Sequence, residues 1–322
     1  MNAHTASSRA SVTGAIGRGA KLLGALGLAT ASTALLLPAV ANASPATTYS
    51  FQKIDYHADV TFNQLLGINS AGVIAGYFGS GAPGHPNKGY TTSPPYTTFK
   101  NENFPNSVQT QVSAINNRGD TAGFWVNAKG SNFGFIEWNG VFTSYSNPNT
   151  PKVAGQVNQI LGINDSGIAV GFYNDSKGHS HSYTLNQKTG KFAGVKVSGQ
   201  SVTATGINDN GQIVGFSTTG GATTTFFQSA GKTTFLQFPG GSDTQAFGIN
   251  KGDKIVGSYL DGSGVMHGFV LSNPMGPKSV WQSIDDPNGI GSTLVNGINN
   301  AGDLVGFYTD AAGNTDGFLA RP

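Results

Sequence analysis

Residues 204–217 read ATGINDNGQIVGFS: a mostly apolar run, a polar turn at Asn208-Asp209-Asn210-Gly211, and a second apolar run. The pattern predicts a short strand, a tight turn and a returning strand. An Asn side chain bonds backbone two residues on, and Gly accepts the positive φ that closes the hairpin. The return, Ile213-Val214-Gly215-Phe216, does not alternate polar with apolar, so both of its faces are expected to be buried, as in a sheet held between neighbours. The same phrase recurs at 65–78 (LLGINSAGVIAGYF), 112–125 (VSAINNRGDTAGFW), 160–173 (ILGINDSGIAVGFY), 246–259 (AFGINKGDKIVGSY) and 295–308 (VNGINNAGDLVGFY). Its markers Asn69, Asn116, Asn164, Asn208, Asn250 and Asn299 stand 47, 48, 44, 42 and 49 residues apart, a spacing in the range of propeller blades. Gly215 and its counterparts Gly76, Gly123, Gly171, Gly257 and Gly306 hold one fixed place, where a side chain is expected to obstruct a neighbouring backbone or a bulge. In the fifth copy the turn reads Asn250-Lys251-Gly252-Asp253, which puts Asp253 in the left-handed position that Asp tolerates.

Between copies there is room for two more strands. In the fourth repeat the four read as 203–208, 212–217, 223–229 and 233–238, and the third recurs as Gly89-Tyr90-Thr91, Ser182-Tyr183-Thr184-Leu185 and Gly268-Phe269-Val270-Leu271. A meander of four short strands apolar on both faces is a propeller blade. The sixth repeat stops after its third strand, at Ala320-Arg321-Pro322, whereas 50–55 (SFQKID) resembles 280–285 (VWQSID), the fourth strand of the fifth repeat. The expected fold is all-β: a six-bladed β-propeller closed by the N-terminal strand completing the last blade. In the competing fold, an open β-solenoid, the two ends would have no reason to complement each other.

Residues 1–43 carry Arg9, Arg18 and Lys21 but no acid, then the apolar run 22–41, then Ala41-Asn42-Ala43. This is the layout of a secretory signal peptide cleaved before Ser44, leaving a propeller domain at 44–322, secreted to the extracellular or periplasmic space and free of the membrane after cleavage. The signal takes three bases and no acids from the 18 Lys+Arg and 16 Asp+Glu, so the formal charge of +2 falls to about −1. No basic excess is left to hold a phosphate backbone, and no nucleic-acid partner is expected. Cys is absent, which excludes disulfides and thiolate metal sites.

The pattern G-I-N-x-x-G-x-I-V-G-x-Y, followed by H-G-F-V-L (267–271), D-G-F-L (316–319) and H-S-Y-T-L (181–185), resembles the HAF-repeat family of extracellular bacterial proteins over nearly all of 44–322. The resemblance implies an exported propeller and says little about activity. Lys88, Phe133, Thr224 and Asp316 stand where His181 and His267 do, so chemistry needing a His in every repeat is excluded.

Catalytic signatures are missing: there is no G-x-S-x-G, H-E-x-x-H, EF-hand loop or P-loop. Past residue 43, Glu occurs only at Glu102 and Glu137, and the adjacent Asp285-Asp286 would point to opposite sides if extended. Asp175, Asp261 and Asp310 begin one recurring loop. They read first as turn formers and only second as ligands for a divalent cation, so no metal site is assigned and the cofactor is left unknown.

In a four-stranded meander the 1-2 and 3-4 turns share one face of the ring, and the 2-3 loops and 4-1 connections share the other. His57, His85, His179, His181 and His267 all fall on the second face, with Tyr56, Trp125 and Tyr173 at its edges. These eight are the candidate ligand-binding residues. Amides with aromatics suit neutral sugars. The preferred reading is a monomeric binding or matrix-associated protein that recognises an extracellular glycan or a protein partner. The alternative is a secreted polysaccharide lyase or glycoside hydrolase using His and Tyr on the same face, with Lys88, Lys129 and Lys177 as the cations for a uronic acid.

Overall fold

The computed structural model describes residues 46–276 and 279–322; the expected signal peptide lies outside them. Tyr49–Pro322 forms one compact unit of six four-stranded antiparallel sheets, with no helix among the described residues. Five blades are meanders of consecutive strands. The sixth takes Thr293–Ile298, Leu304–Thr309 and Thr315–Arg321 from the C-terminal end and Ser50–Lys53 from the N-terminal end. Ser50 pairs with Arg321 and Lys53 with Phe318, as the match between 50–55 and 280–285 predicts.

The unbroken apolar character of each second strand has a direct cause. Successive residues project to opposite sides of a strand. Ile213 therefore joins an apolar cluster with Val202, Phe226 and the preceding blade's Val170, while Val214 joins Ala246 and Ile255 of the next blade. Ile255/Val256 and Leu304/Val305 divide between interfaces in the same way. Each blade-to-blade interface holds one such cluster, so the core lies between sheets rather than at a single centre.

Every first strand carries a bulge opposite the second, at Leu66, Ser113, Leu161, Thr205, Phe247 and Asn296. The bulge explains the fixed glycine. A Cβ on Gly215 would run into the carbonyl oxygen of Thr203, and one on Gly257 into that of Gln245. Asp253 adopts φ 63° in the fifth turn, in place of the Gly used elsewhere.

The repeated Asn does two jobs. Asn208 Oδ1 accepts from the N–H groups of Asn210 (3.1 Å) and Gln212 (3.0 Å), which builds the turn. Its Nδ2 donates to the carbonyl of Asn250 in the next blade (3.0 Å). The same bond runs from Asn69 to Asn116 (3.1 Å), Asn116 to Asn164 (3.3 Å), Asn164 to Asn208 (3.1 Å), Asn250 to Asn299 (3.0 Å) and Asn299 back to Asn69 (3.3 Å). Six buried amides thus form a closed ring around the axis. Ile68, Ile115, Ile163, Ile207, Ile249 and Ile298, which precede them, line the same narrow channel mouth.

The two faces separate as the meander requires. On the Asn-ring face the 3-4 turns meet the 1-2 turns, with Gln187 N–H donating to Gly167 O (2.9 Å) and Tyr96 OH to Gly72 O (3.0 Å). On the other face the 4-1 connections meet the 2-3 loops, with Thr315 N–H donating to Thr61 O and Thr110 N–H to Asn87 O, both at 3.0 Å.

Candidate functional site

The five histidines lie on the loop face but are spread around the ring, with only His179 and His181 sharing a blade, and each is held locally. His85 Nδ1 stands 3.7 Å from Asp59 Oδ2. His181 Nε2 lies 2.9 Å and His179 Nδ1 3.6 Å from Asp175 Oδ2. The hydrogen bond from His181 holds the Asp175 carboxyl down at about 2. His267 meets Asp285 through Nδ1 (2.8 Å) and Asp261 through Nε2 (3.4 Å). Burial pulls its imidazole pKa down, but these two carboxylates outweigh that and raise it above the ordinary value. His57 stacks on Tyr56, with centroids 4.8 Å apart.

These partnerships do not assemble into one constellation. Among the described residues no group of three or more His, Cys, Asp or Glu is placed to hold a metal ion. Asp175, Asp261 and Asp310 build their loops by accepting two backbone N–H bonds each, as turn formers do. Asp285 faces His267, whereas Asp286 is 3% exposed and accepts from Asn288, so the adjacent pair does diverge.

Two carboxylate groupings were not visible in the sequence. Glu102 and Glu137 come together at Lys100 (2.7 and 4.0 Å), and Asp55 and Asp316 at Lys53 (3.1 and 2.7 Å). All four carboxyls are shielded by the fold. With 1% exposure for Glu102 and Asp316 and 7% for Glu137, these pairs are part of the blade junctions rather than open to a dissolved substrate.

What repeats on this face is a slot at the blade junctions. One wall is the cross-strand pair at the outer end of the second and third strands. The other is the residue at which the 4-1 connection enters the next blade. That residue is marked by a shared bond: the N–H groups of Tyr56, Phe104, Asn147, Phe238 and Asp286 donate to side-chain oxygens of Asn63, Thr110, Asn158, Thr244 and Thr293 at 2.8 to 3.2 Å.

In blade 1, Tyr56 lies flat on Phe78 (centroids 4.1 Å, planes 6° apart). In blade 2, Phe104 lies on Trp125 (4.6 Å, 5°), and in blade 5, Phe238 lies on Tyr259 (3.6 Å, 5°). Trp125 and Tyr259 also carry cross-strand neighbours, Phe133 at 4.9 Å and His267 at 5.3 Å. The candidate rings Tyr56 and Trp125 are therefore engaged within the molecule.

Blade 3 differs. Tyr173 carries His181 at 5.2 Å in the same cross-strand stack, but the second wall is Asn147. Asn147 folds its Oδ1 back to accept from Asn149 N–H (3.0 Å) and leaves the slot open. The result is a cavity of about 490 Å³ lined by Asn147, Asn149, Tyr173, His181, Phe192 and Gln200, among others. Its volume is in the range of small-molecule sites. Blade 4 also opens, with a cavity of about 520 Å³, but Ser217 and Thr224 stand where the stacked pair would be. In blade 6, Tyr308 is 2% exposed, and burial together with Asp316 and Asp286 raises its phenol pKa.

No family model matches this sequence, and no curated protein does. Solved structures match the fold. TolB from Acinetobacter baumannii superposes with a TM-score of 0.53 at 12% identity, covering 76% of this chain and 63% of TolB, so the chain spans less than two thirds of that protein's length. AofleA from Arthrobotrys oligospora gives 0.53 at 13% identity, covering 85% of this chain and 86% of its own. At such identities the likeness is one of fold, and it places this chain among the β-propellers.

Proposed function

We propose that this protein is an exported, saccharide-binding β-propeller of the HAF-repeat kind, which takes a neutral pyranose of an extracellular glycan on the face built from 2-3 loops and 4-1 connections. The observation that carries the reading is the open blade-3 cavity, where the Tyr173 ring, stacked with His181 at 5.2 Å, stands beside amide side chains. An aromatic face accepts the CH-rich side of a sugar ring, while Asn149 and Gln200 supply donors and acceptors for its hydroxyls. The lining has one lysine, Lys196, and no carboxylate, so it makes no special provision for a cationic ligand.

The test is binding of the purified protein to a panel of immobilised glycans, followed by amide shift mapping with the strongest. Shifts are expected on the 2-3/4-1 face. Shifts confined to the Asn-ring face, or no glycan retained from a panel rich in neutral hexoses, would overturn the reading.

A further inference from the structure

The junction slots share one construction, so their contents can be compared directly. The bond from the entering N–H to the next blade's first strand fixes Tyr56, Phe104, Asn147, Phe238 and Asp286 as equivalent positions. Phe78, Trp125, Tyr173, Ser217, Tyr259 and Tyr308 are equivalent on the second strand, since each pairs with the residue at the repeat's His position: Lys88, Phe133, His181, Thr224, His267 and Asp316.

From this comparison we infer that the chain's own rings Tyr56, Phe104 and Phe238 occupy, in blades 1, 2 and 5, the place that a saccharide ring takes on Tyr173 in blade 3, so that the propeller holds one ligand per molecule and three latent sites. The inference rests on the saccharide-binding reading for the ligand's chemistry, but the slot itself is a matter of geometry.

The three plugs lie within 6° of parallel, with centroids 3.6 to 4.6 Å from the ring beneath, the face-to-face placement that a flat ring on the same floor would take. Each excludes a ligand by mass action, because an intramolecular ring is present at high effective concentration. Blade 4 offers an opening without an aromatic floor, and blade 6 has its floor buried beside Asp286 and Asp316. The single change that makes blade 3 receptive is Asn147 in place of an aromatic residue.

The experiment exchanges the plugs. Asn147→Phe should close the blade-3 slot, and Phe238→Asn should open the blade-5 slot. Phe104→Asn repeats the opening in blade 2 in case the blade-5 variant fails to fold, as judged by its melting curve. Two probes are titrated by calorimetry and amide shift mapping. One is the best-binding methyl pyranoside from a panel of neutral hexoses and 6-deoxyhexoses; the other is p-cresol, which reproduces the tyrosine plug.

The parent should bind either probe with a stoichiometry of one, with shifts centred on Tyr173 and His181. Asn147→Phe should weaken binding at least ten-fold, and a folded opening variant should raise the stoichiometry to two. If p-cresol behaves this way and no pyranoside binds, the slot stands and the saccharide reading falls. If a pyranoside binds elsewhere, or the stoichiometry of both folded opening variants stays at one, the saccharide reading survives and the plugged-slot inference is overturned. Failure of both probes to perturb Tyr173 overturns the inference outright.

Discussion

At the scale of single residues, the repeated Asn sets both turn geometry and blade spacing. Its Oδ1 is committed to two backbone N–H groups, which fixes the amide's orientation and aims Nδ2 at the next blade. Asn208→Ala should cost about 1–3 kcal/mol in urea unfolding, because it strands buried donors and acceptors at 5% exposure. Asn208→Asp keeps the turn acceptor but sets a carboxylate against the Asn250 carbonyl, so it too should destabilise. A variant as stable as the parent would mean that the ring bonds add nothing. The turn-forming half of this role was legible in the sequence, since Asn followed by Gly three residues on is a local signal. The ring-forming half was not, because its partner lies 42 to 49 residues away, or 230 for the Asn299–Asn69 bond that closes the ring, and only the fold brings it near.

At the scale of elements, the blade's composition was readable because each second strand is sandwiched and so loses the polar alternation of a half-exposed strand. The observed fourth-blade strands, Ser201–Ile207, Ile213–Thr219, Ala222–Ser229 and Lys232–Leu236, fall within two residues of those expected. The chemistry at the strand ends was less readable. Around Ser50–Lys53, one ammonium, Lys53, faces two carboxylates, Asp55 and Asp316. Burial pushes the Asp55 carboxyl up to about 6, and the nearby Asp316 charge adds to the rise. A carboxyl whose folded pKa lies above its unfolded value contributes stability that is complete below about pH 4 and lost as the pH rises through about 6. Asp55→Asn keeps an acceptor for the Gly317 N–H, which sits 2.9 Å from Asp55 Oδ1, and removes that titration. The stability of the variant relative to the parent should therefore increase between pH 4 and pH 6. A constant difference across that window would assign the titration elsewhere.

At the scale of the whole molecule, ring closure was foreseen from the similarity of two six-residue segments. The open slot was not, because it depends on one position, Asn147, that becomes comparable with Tyr56, Phe104 and Phe238 only when the 4-1 connections are superposed. A protein beginning at Ala58 lacks the outer strand of the sixth blade and uncovers Phe318, on which Phe51 packs at 5.5 Å. It is expected to unfold without a single cooperative transition or to aggregate through the open edge, and a melt matching the parent's would disprove this form of closure. For export, N-terminal sequencing of the recovered protein should begin at Ser44, and Met1 retained in a membrane fraction would refute cleavage there.

The pairing of Ser50 with Arg321 spans 271 positions of chain, and this sets an order of events. Ser50–Lys53 cannot pair until Thr315–Arg321 is present, whereas the other five sheets are each made of strands consecutive in sequence. Until then five complete sheets can form and stack in sequence, each on the one before, while Ser50–Lys53 stays unpaired. Closing the ring draws together the two paired strands farthest apart in sequence, the kind of contact that folds slowly because its loop entropy is lost before the contact forms. Maturation time should consequently follow the arrival of Thr315–Arg321 rather than the number of blades already made.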